Sequence, residues 1–273
     1  MSISGGLEKA VVRGQEVGCE TMQIFTKNSN QWKAKPLTAV EVAVFREACQ
    51  ASGIGPVVAH SAYLINLAAP DEALYEKSIQ AFLDELQRCE LLGIPYLVVH
   101  PGAHMKAGEA QGLTRIAAAI DRIHRETSTR QAAIVLEVTA GQGTALAYKF
   151  KHFAALLEQV DAPDRLGFCL DTCHLLAAGY DFRTRKGYDQ MMDAWEDLVG
   201  IERIRVIHLN DSKKELGSHV DRHEHIGQGY IGTKGFEFLL NDRRLAELPM
   251  VLETPKDDNA DVRNLATLRQ LMH

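Results

Sequence analysis

The sequence lacks any long hydrophobic run. None of its apolar stretches approaches the roughly 20 residues that a helix needs to span a bilayer. Residues 1–6 also lack the basic flank and apolar segment that are typical of a secretory signal. These absences disfavour membrane insertion and secretion, so we expect a cytoplasmic protein without a membrane partner.

Cysteine and positive charge are both scarce. The five cysteines are an odd number, are scattered along the chain and form no CxxC pair. Such usage is typical of reduced thiols rather than of a disulfide framework. Lys and Arg number 30 against 36 Asp and Glu, which gives a net charge of −6. Taken alone, that balance disfavours a nucleic-acid partner.

Apolar residues, by contrast, make up 46% of the chain, and some of them form seven short runs rich in β-branched residues. The runs are continuous rather than alternating, which is expected for strands buried on both faces of a parallel sheet. They are Thr21–Thr26, Pro56–His60, Tyr96–His100, Ala133–Glu137, Leu166–Asp171, Ile204–Leu209 and Pro249–Glu253. Stretches with helical spacing lie between them, including Glu72–Leu92, Leu113–Glu126 and Gln190–Leu198.

Strands that alternate with helices along the whole chain predict an α/β fold, the parallel (β/α)8 or TIM barrel. The runs end at regular intervals and no Pro/Gly/Ser-rich linker interrupts them. We therefore expect residues 1–273 to form one barrel domain. A barrel of this type has one strand more than the seven runs, and the first strand is the one that we expect to be missing, ahead of Ser2.

Six of the seven runs have a residue that can bind a metal ion at their last position or, in the run Ile204–Leu209, one position before it. Because all strands of a parallel barrel point their carboxyl ends to one face, these side chains are expected to converge there. They are His60, His100, Glu137, Asp171, His208 and Glu253. A single one of them is equally well explained as a hydrogen-bonded loop residue. Six together indicate a hydrolytic zinc, manganese or iron site, because His and carboxylate ligands suit those ions.

Three further candidates bring the number of ligands to nine. His174 follows Asp171 by three residues, and Asp221 and His223 alternate in a polar loop. Nine ligands exceed the need of two ions and fit three four- to five-coordinate ions with a bridging carboxylate. Cys169 and Cys173 lie among these residues, and we expect both to pack in the core rather than to bind metal.

Seven segments of the chain resemble endonuclease IV, a family of zinc-dependent abasic-site endonucleases. They are HSAYLINLA (60–68), HPGAH (100–104), EVTAGQG (137–143), GFCLDTCH (167–174), HLNDSK (208–213), VDRHEHIGQG (220–229) and ETP (253–255). The resemblance covers essentially the whole chain. It implies a (β/α)8 barrel with three Zn²⁺ ions at its C-terminal face.

The resemblance also implies which residues hold each ion. His60, His100 and Glu137 bind the first ion, and Glu137 bridges to the second; Asp171, His208 and Glu253 complete the second; His174, Asp221 and His223 hold the third. Three Zn²⁺ ions add +6, which brings the net charge of −6 to about zero. The positive charge would be concentrated where a phosphate binds, and this removes the objection to a nucleic-acid partner.

The implied activity is DNA repair by base excision. Such enzymes hydrolyse the phosphodiester 5′ to an abasic site in double-stranded DNA, leave a 3′-hydroxyl and a 5′-deoxyribose phosphate, and remove blocking groups from 3′ ends. The resemblance further implies that a metal-bridged hydroxide attacks phosphorus and that Glu137, as a bridging ligand, and Glu253, as an orienting group, are the catalytic carboxylates. No obligate protein partner is implied.

Residues outside the metal site are implicated in DNA binding. Tyr63 and Leu64 resemble the family's residues that wedge into the base stack, although core packing explains Leu64 equally well. Asn30 stands where many relatives carry an arginine that enters the DNA, and Val138 replaces a common asparagine. Both differences, like the short N-terminus, leave the nine ligand positions intact, so we expect activity to be altered at most.

Two other functions are compatible with this sequence. A metal-dependent sugar isomerase or epimerase can use the same barrel, but it has no need of the third set of ligands, His174, Asp221 and His223. A barrel that lacks its first strand could also bind abasic DNA without cutting it. The complete set of nine ligands argues against that second alternative.

Overall fold

The computed structural model describes residues 1–127 and 131–273. All seven predicted runs form strands within the described residues. The strands are β1 Met22–Ile24, β2 Val57–His60, β3 Tyr96–Val99, β4 Ala133–Glu137, β5 Leu166–Asp171, β6 Ile204–His208, β7 Asp211–Ser212, β8 His223–Glu224 and β9 Met250–Val251. Only β7 and β8, of two residues each, were not predicted, because so short a segment carries no hydrophobic period.

Helices connect these strands. They are α1 Leu7–Val17, α2 Ala39–Ser52, α3 Glu72–Leu92, α4 Glu109–Glu126, α5 Phe150–Gln159, α6 Thr172–Ala178, α7 Arg185–Leu198, α8 Gly232–Leu240 and α9 Ala260–Gln270. The predicted bounds of α3 are confirmed, because Asp71 caps its first turn and Gly93 ends it in the left-handed conformation. The predicted starts of α4 and α7 were too late, since both helices begin with a polar turn that hydrophobic spacing does not reveal.

The chain divides into two compact units. Unit 1 comprises residues 1–136 and 158–167, and unit 2 comprises residues 137–157 and 168–273. The prediction of a single domain over residues 1–273 stays a prediction. Among the described residues, no helix combines the length and apolar character that crossing a membrane requires.

In unit 1, β1 to β4 run parallel in sequence order. The register pairs Ile24 with Ala59, His60 with Val98, and Val99 with Leu136. β2 is buried along its whole length, which explains its continuous apolar sequence.

In unit 2, β5, β6 and β9 are parallel, and β7 pairs with β8 in an antiparallel ladder. The register pairs Asp171 with His208, and His208 with Val251. An aromatic core supports these strands: Trp195 packs edge-on against Phe168, with their ring centroids 5.8 Å apart. The strands of unit 2 therefore deliver polar side chains from a rigid, apolar base.

Candidate metal centre

Unit 2 contains a group of buried ionisable side chains that lie at or just after the ends of strands. Glu137, Asp171 and His208 are the last residues of β4, β5 and β6, and Glu253 follows β9 by two residues. The imidazole Nδ1 of His208 lies 3.0 Å from Glu137 Oε1, 3.3 Å from Glu253 Oε2 and 3.7 Å from Asp171 Oδ2. The side chains of the three strand-end residues are fully buried. Four strands thus bring three carboxylates to one imidazole nitrogen.

His174 joins this group from the first turn of α6. The helix begins there because the Asp171 carboxylate accepts a hydrogen bond from the His174 amide at 2.8 Å. The His174 ring places Nδ1 2.9 Å from the carbonyl oxygen of Val138 and 3.2 Å from Glu137 Oε1. Its Nε2 lies 3.2 Å from Asp221 Oδ2. The capping carboxylate therefore sets the position of a second candidate ligand.

His223, on β8, completes the group in unit 2. Its Nδ1 lies 3.1 Å from the carbonyl oxygen of Glu253. Its Nε2 is 3.3 Å from Asp221 Oδ1 and 3.8 Å from Asp171 Oδ2, and it is buried without a hydrogen bond. A nitrogen lone pair held beside two carboxylates in this way suits a shared cation.

The two remaining predicted ligands lie in unit 1. His60 ends β2, His100 follows β3, and the centroids of their rings are 5.3 Å apart. The Nδ1 atom of His60 lies 2.8 Å from the carbonyl oxygen of Ser61. The Tyr63 ring borders both imidazoles, at 5.4 Å from His60 and 6.2 Å from His100. The pair therefore lies at the carboxyl ends of adjacent strands, as the strand pattern predicts.

Negative charge dominates the group in unit 2. Burial by itself lowers the pKa of His174, but Asp171 and neighbouring carboxylates raise it well above its usual value. Burial by itself also lowers the pKa of His208, but the carboxylates of Glu253 and Glu137 raise it well above its usual value. Protons bound by these histidines would offset part of the carboxylate charge. A divalent cation would do so more completely.

The donor atoms fit divalent ions with a preference for nitrogen and oxygen. In His60, His174 and His223, Nδ1 faces a backbone carbonyl oxygen, which favours a proton on Nδ1 and would leave the Nε2 lone pair available to a metal ion. Within unit 2, two sets that consist only of His, Asp and Glu have ligand atoms that all lie within 4.8 Å of one another. They are Glu137, Asp171, His208 and Glu253, and Asp171, His174 and His223.

The cysteines beside these sets are buried thiols. Burial raises the pKa of Cys169 and of Cys173 to about 12, so both carry their protons at neutral pH. Both side chains pack in the core, as predicted. Their burial and their raised pKa values agree with the expectation that both cysteines act in packing and not as thiolate ligands.

Sequence reasoning missed Asn210. This buried side chain donates a hydrogen bond from Nδ2 to Asp171 Oδ2 at 2.6 Å and accepts one at Oδ1 from the Glu253 amide at 2.7 Å. The hydroxyl of Thr172 accepts a hydrogen bond from the Asn210 amide at 2.8 Å. The only signal in the sequence is a polar residue two positions after His208. Asn210 orients two of the candidate ligands at once.

Asp211 was also missed, and its role is structural. Its carboxylate accepts hydrogen bonds from the amides of Gly227, Gly229, Ile231 and Gly232 at 2.9 to 3.3 Å. Gly229 comes so close that a Cβ atom there would lie 2.5 Å from Asp211 Oδ1. The buried aspartate thus folds the segment that follows His223 against β7.

The three residues predicted to contact DNA lie in loops of unit 1. Asn30 is exposed in the loop after β1, and Tyr63 is 59% exposed in the loop after β2. Leu64 is half-buried, so it is not a core residue. Leu64 and Tyr63 are both partly accessible to a ligand. Whether they insert into DNA stays a prediction.

The chain matches the family model of xylose isomerase-like TIM barrels over residues 11–271. It is 57% identical to the "Probable endonuclease 4" of Chloroflexus aggregans over 274 aligned residues, which cover 100% of this chain and 96% of that protein. These matches confirm the predicted α/β TIM barrel class.

Solved structures are similar as well. The crystal structure of endonuclease IV from Thermus thermophilus matches with a TM-score of 0.89 and 37% identity, covering 99% of this chain and 96% of that one. A D-tagatose 3-epimerase-like protein matches with a TM-score of 0.76 but 17% identity, covering 99% and 95%. That second likeness concerns the fold alone.

Proposed function

This chain belongs to the endonuclease IV family, and from that membership we propose that it is a zinc-dependent hydrolase that cleaves DNA 5′ to abasic sites. It is an endonuclease of DNA repair. The products proposed here are a 3′-hydroxyl and a 5′-deoxyribose phosphate, and the same site is proposed to remove blocking groups from 3′ ends. The proposed partner is double-stranded DNA, and the proposed location is the cytoplasm.

The observation that carries the proposal is the convergence of seven His, Asp and Glu side chains in unit 2. His208 Nδ1 lies within 3.7 Å of the carboxylates of Glu137, Asp171 and Glu253, and a second set surrounds Asp221. A sugar epimerase has no need of that second set, His174, Asp221 and His223. Its presence favours the nuclease.

We assign three Zn²⁺ ions to the nine predicted ligands in the order that the family resemblance implies. His60, His100 and Glu137 would hold the first ion, and Asp171, His208 and Glu253 would hold the second together with Glu137. His174, Asp221 and His223 would hold the third. Bound zinc lowers the pKa of water to about 7 and neutralises charge on a phosphodiester, which supplies the nucleophile and the stabilisation that this reaction needs.

The chain's own groups then orient the reactants. Glu253 has its backbone amide held by Asn210, and its side chain is 18% exposed, so the carboxylate can accept a hydrogen bond from an attacking water. Glu137 is fully buried beside His208 and His174 and keeps both imidazoles in place. Tyr63, Leu64 and Asn30 are proposed to hold the DNA at the lesion.

A cleavage assay tests this proposal. Zinc-loaded protein is incubated with a labelled duplex that contains one tetrahydrofuran abasic analogue, beside an undamaged duplex and with or without a chelator. We expect a cut 5′ to the analogue with a 3′-hydroxyl end, because the analogue resists β-elimination. Chelation abolishes the cut. Glu253→Gln lowers kcat at least about 100-fold, the loss expected for a group that acts on the transition state.

The matched control is Glu224→Gln. The Glu224 carboxylate accepts a hydrogen bond from the His225 amide at 2.9 Å and belongs to none of the three proposed ligand sets, so this variant is expected to keep its activity. Intact damaged DNA in the presence of zinc-loaded wild-type protein contradicts the nuclease. Turnover in a screen of ketoses and aldoses would then indicate the epimerase, and tight binding of the intact duplex would indicate the non-cleaving protein.

A further inference from the structure

Unit 1 contains a buried ion pair that the metal chemistry does not use. Lys27 Nζ lies 3.2 Å from Glu85 Oε1, and both side chains are only 1% exposed. Lys27 lies in residues 25–38, which connect β1 to α2 and are called loop A here; Glu85 lies on α3. Neither residue is one of the nine predicted ligands. An ion pair this deeply buried recovers little more than the cost of removing its two charges from water.

The remaining hydrogen bonds of the pair go to the backbone of two loops. Lys27 Nζ donates to the carbonyl oxygens of Trp32 at 2.8 Å and of Gln31 at 3.3 Å. Glu85 accepts from the amide of Ala62 at 3.2 Å. Ala62 belongs to residues 61–71, which connect β2 to α3 and are called loop B here. The pair therefore connects loop A to loop B.

Arg88, one turn after Glu85 on α3, strengthens the connection. Its guanidinium donates two hydrogen bonds to the carbonyl oxygen of Thr26, at 3.1 and 2.8 Å, and one to that of Lys35 at 3.0 Å. Loop A is thus held near both ends by one helix. The rings of Phe25 in loop A and Tyr63 in loop B also meet edge-on, with centroids 5.4 Å apart.

We propose that Lys27 and Glu85 are positioning residues that hold loops A and B in the arrangement that recognises damaged DNA. The inference rests on the proposed function, because loop A carries Asn30 and loop B carries Tyr63 and Leu64. The presence of two buried charges that contribute little net stability is explained if they specify one arrangement of the loop backbones. The pair acts on DNA through the loops and touches neither the phosphodiester nor the metal.

Two variants separate positioning from stability. Glu85→Gln keeps an acceptor for the Ala62 amide but removes the charge that faces Lys27. The double variant Lys27→Met/Glu85→Met removes both charges and fills the space with apolar groups, which restores most of the stability lost in a single variant. The matched control is Glu76→Gln on the same helix. It breaks the pair with Arg122 of α4, whose guanidinium lies 2.9 Å from Glu76, away from both loops.

The readouts are steady-state cleavage of the abasic duplex, zinc content, Tm, and acrylamide quenching of tryptophan. Trp195 is fully buried, so quenching reports on half-buried Trp32 in loop A. We expect KM to rise about tenfold in Glu85→Gln and in the double variant, which corresponds to about 1.4 kcal/mol of binding free energy. We expect kcat and zinc content to stay within about twofold of wild type and quenching of Trp32 to increase. Glu76→Gln changes none of these.

The inference is overturned if the double variant has both the Tm and the KM of wild type, because the higher KM of Glu85→Gln would then reflect lost stability. It is also overturned if kcat falls in either variant while KM stays constant. If the double variant does not fold, Glu85→Gln decides alone on the same criteria. Failure of the proposed function is recognised separately, because wild-type protein then leaves the abasic duplex intact. In that case, unchanged quenching of Trp32 in both variants overturns the positioning role.

Discussion

The side-chain amide of Asn210 donates a hydrogen bond to the Oδ2 atom of Asp171 at 2.6 Å. The other end of the same amide accepts from the Glu253 backbone at 2.7 Å. Both partners belong to the candidate metal centre and lie 39 and 43 residues away in sequence. Asn210 is thus a single buried group that aligns ligands from two strands.

Replacing Asn210 with leucine keeps the size of the side chain and removes both hydrogen bonds. Because outer hydrogen bonds orient metal ligands, we expect zinc affinity to fall about 10- to 100-fold. Competition with a chelator of known affinity measures this. Asn241→Leu is the control, since Asn241 makes two hydrogen bonds to the backbone carbonyls of Glu237 and Leu271. An affinity equal to that of wild type in Asn210→Leu would exclude the orienting role.

Removal of metal is expected to destabilise the protein as well as to inactivate it. Without a cation, the carboxylates of Glu137, Asp171 and Glu253 lie together around one imidazole. Zinc at about 1,000 times its Kd stabilises the folded state by about 4 kcal/mol for each independent site. Thermal melts of chelated protein against added zinc test this. Added magnesium is the control, because it prefers oxygen ligands and should restore little. A Tm that is independent of zinc contradicts the site.

Asn30→Arg is expected to strengthen DNA binding. Asn30 is exposed in loop A, so an arginine fits there without repacking and adds one contact to a phosphate. The slope of log Kd against log salt should steepen by about 1, and the gain should be largest at low salt. The control is Gln87→Arg, at an exposed position on α3 that belongs to neither loop. If both variants shift binding equally, the gain is a general charge effect and Asn30 does not face DNA.

Acid stability depends on His124, a histidine that is not one of the nine predicted ligands. Burial, with a smaller effect from Arg165, lowers the pKa of His124 from 6.5 to about 4, and its Nδ1 is buried without a hydrogen bond. The unfolded chain therefore takes up this proton at a higher pH than the folded protein. Stability is fully present above about pH 6.5 and is lost as the pH falls towards 4.

His124→Leu isolates that effect. Between pH 7 and pH 5 the wild-type protein should lose about 1 to 2 kcal/mol more unfolding free energy than the variant does. Urea denaturation at the two pH values measures the difference, and protonation of other groups cancels in the comparison. Equal losses in the two proteins would show that His124 titrates normally in the folded state.

Some elements follow directly from local sequence. The bounds of α3 were predictable because Asp71 and Gly93 mark its two ends and apolar spacing continues between them. The strands were predictable because burial on both faces requires an unbroken apolar run. β7 and β8 were not, since a two-residue ladder has no period and depends on a partner that is brought near by the chain between them.

The kinds of ligand and their places at strand ends can be read from local sequence, because a residue that closes a buried strand is recognisable from its immediate neighbours. Which of their atoms meet depends on the packing of the strands and helices. His174 reaches Glu137 and Asp221 from separate segments, and Asn210 connects Asp171 to Glu253, because strand register and helix docking set those distances. The link from Lys27 through Glu85 to Ala62 also depends on tertiary structure, because it forms only when α3 packs against both loops.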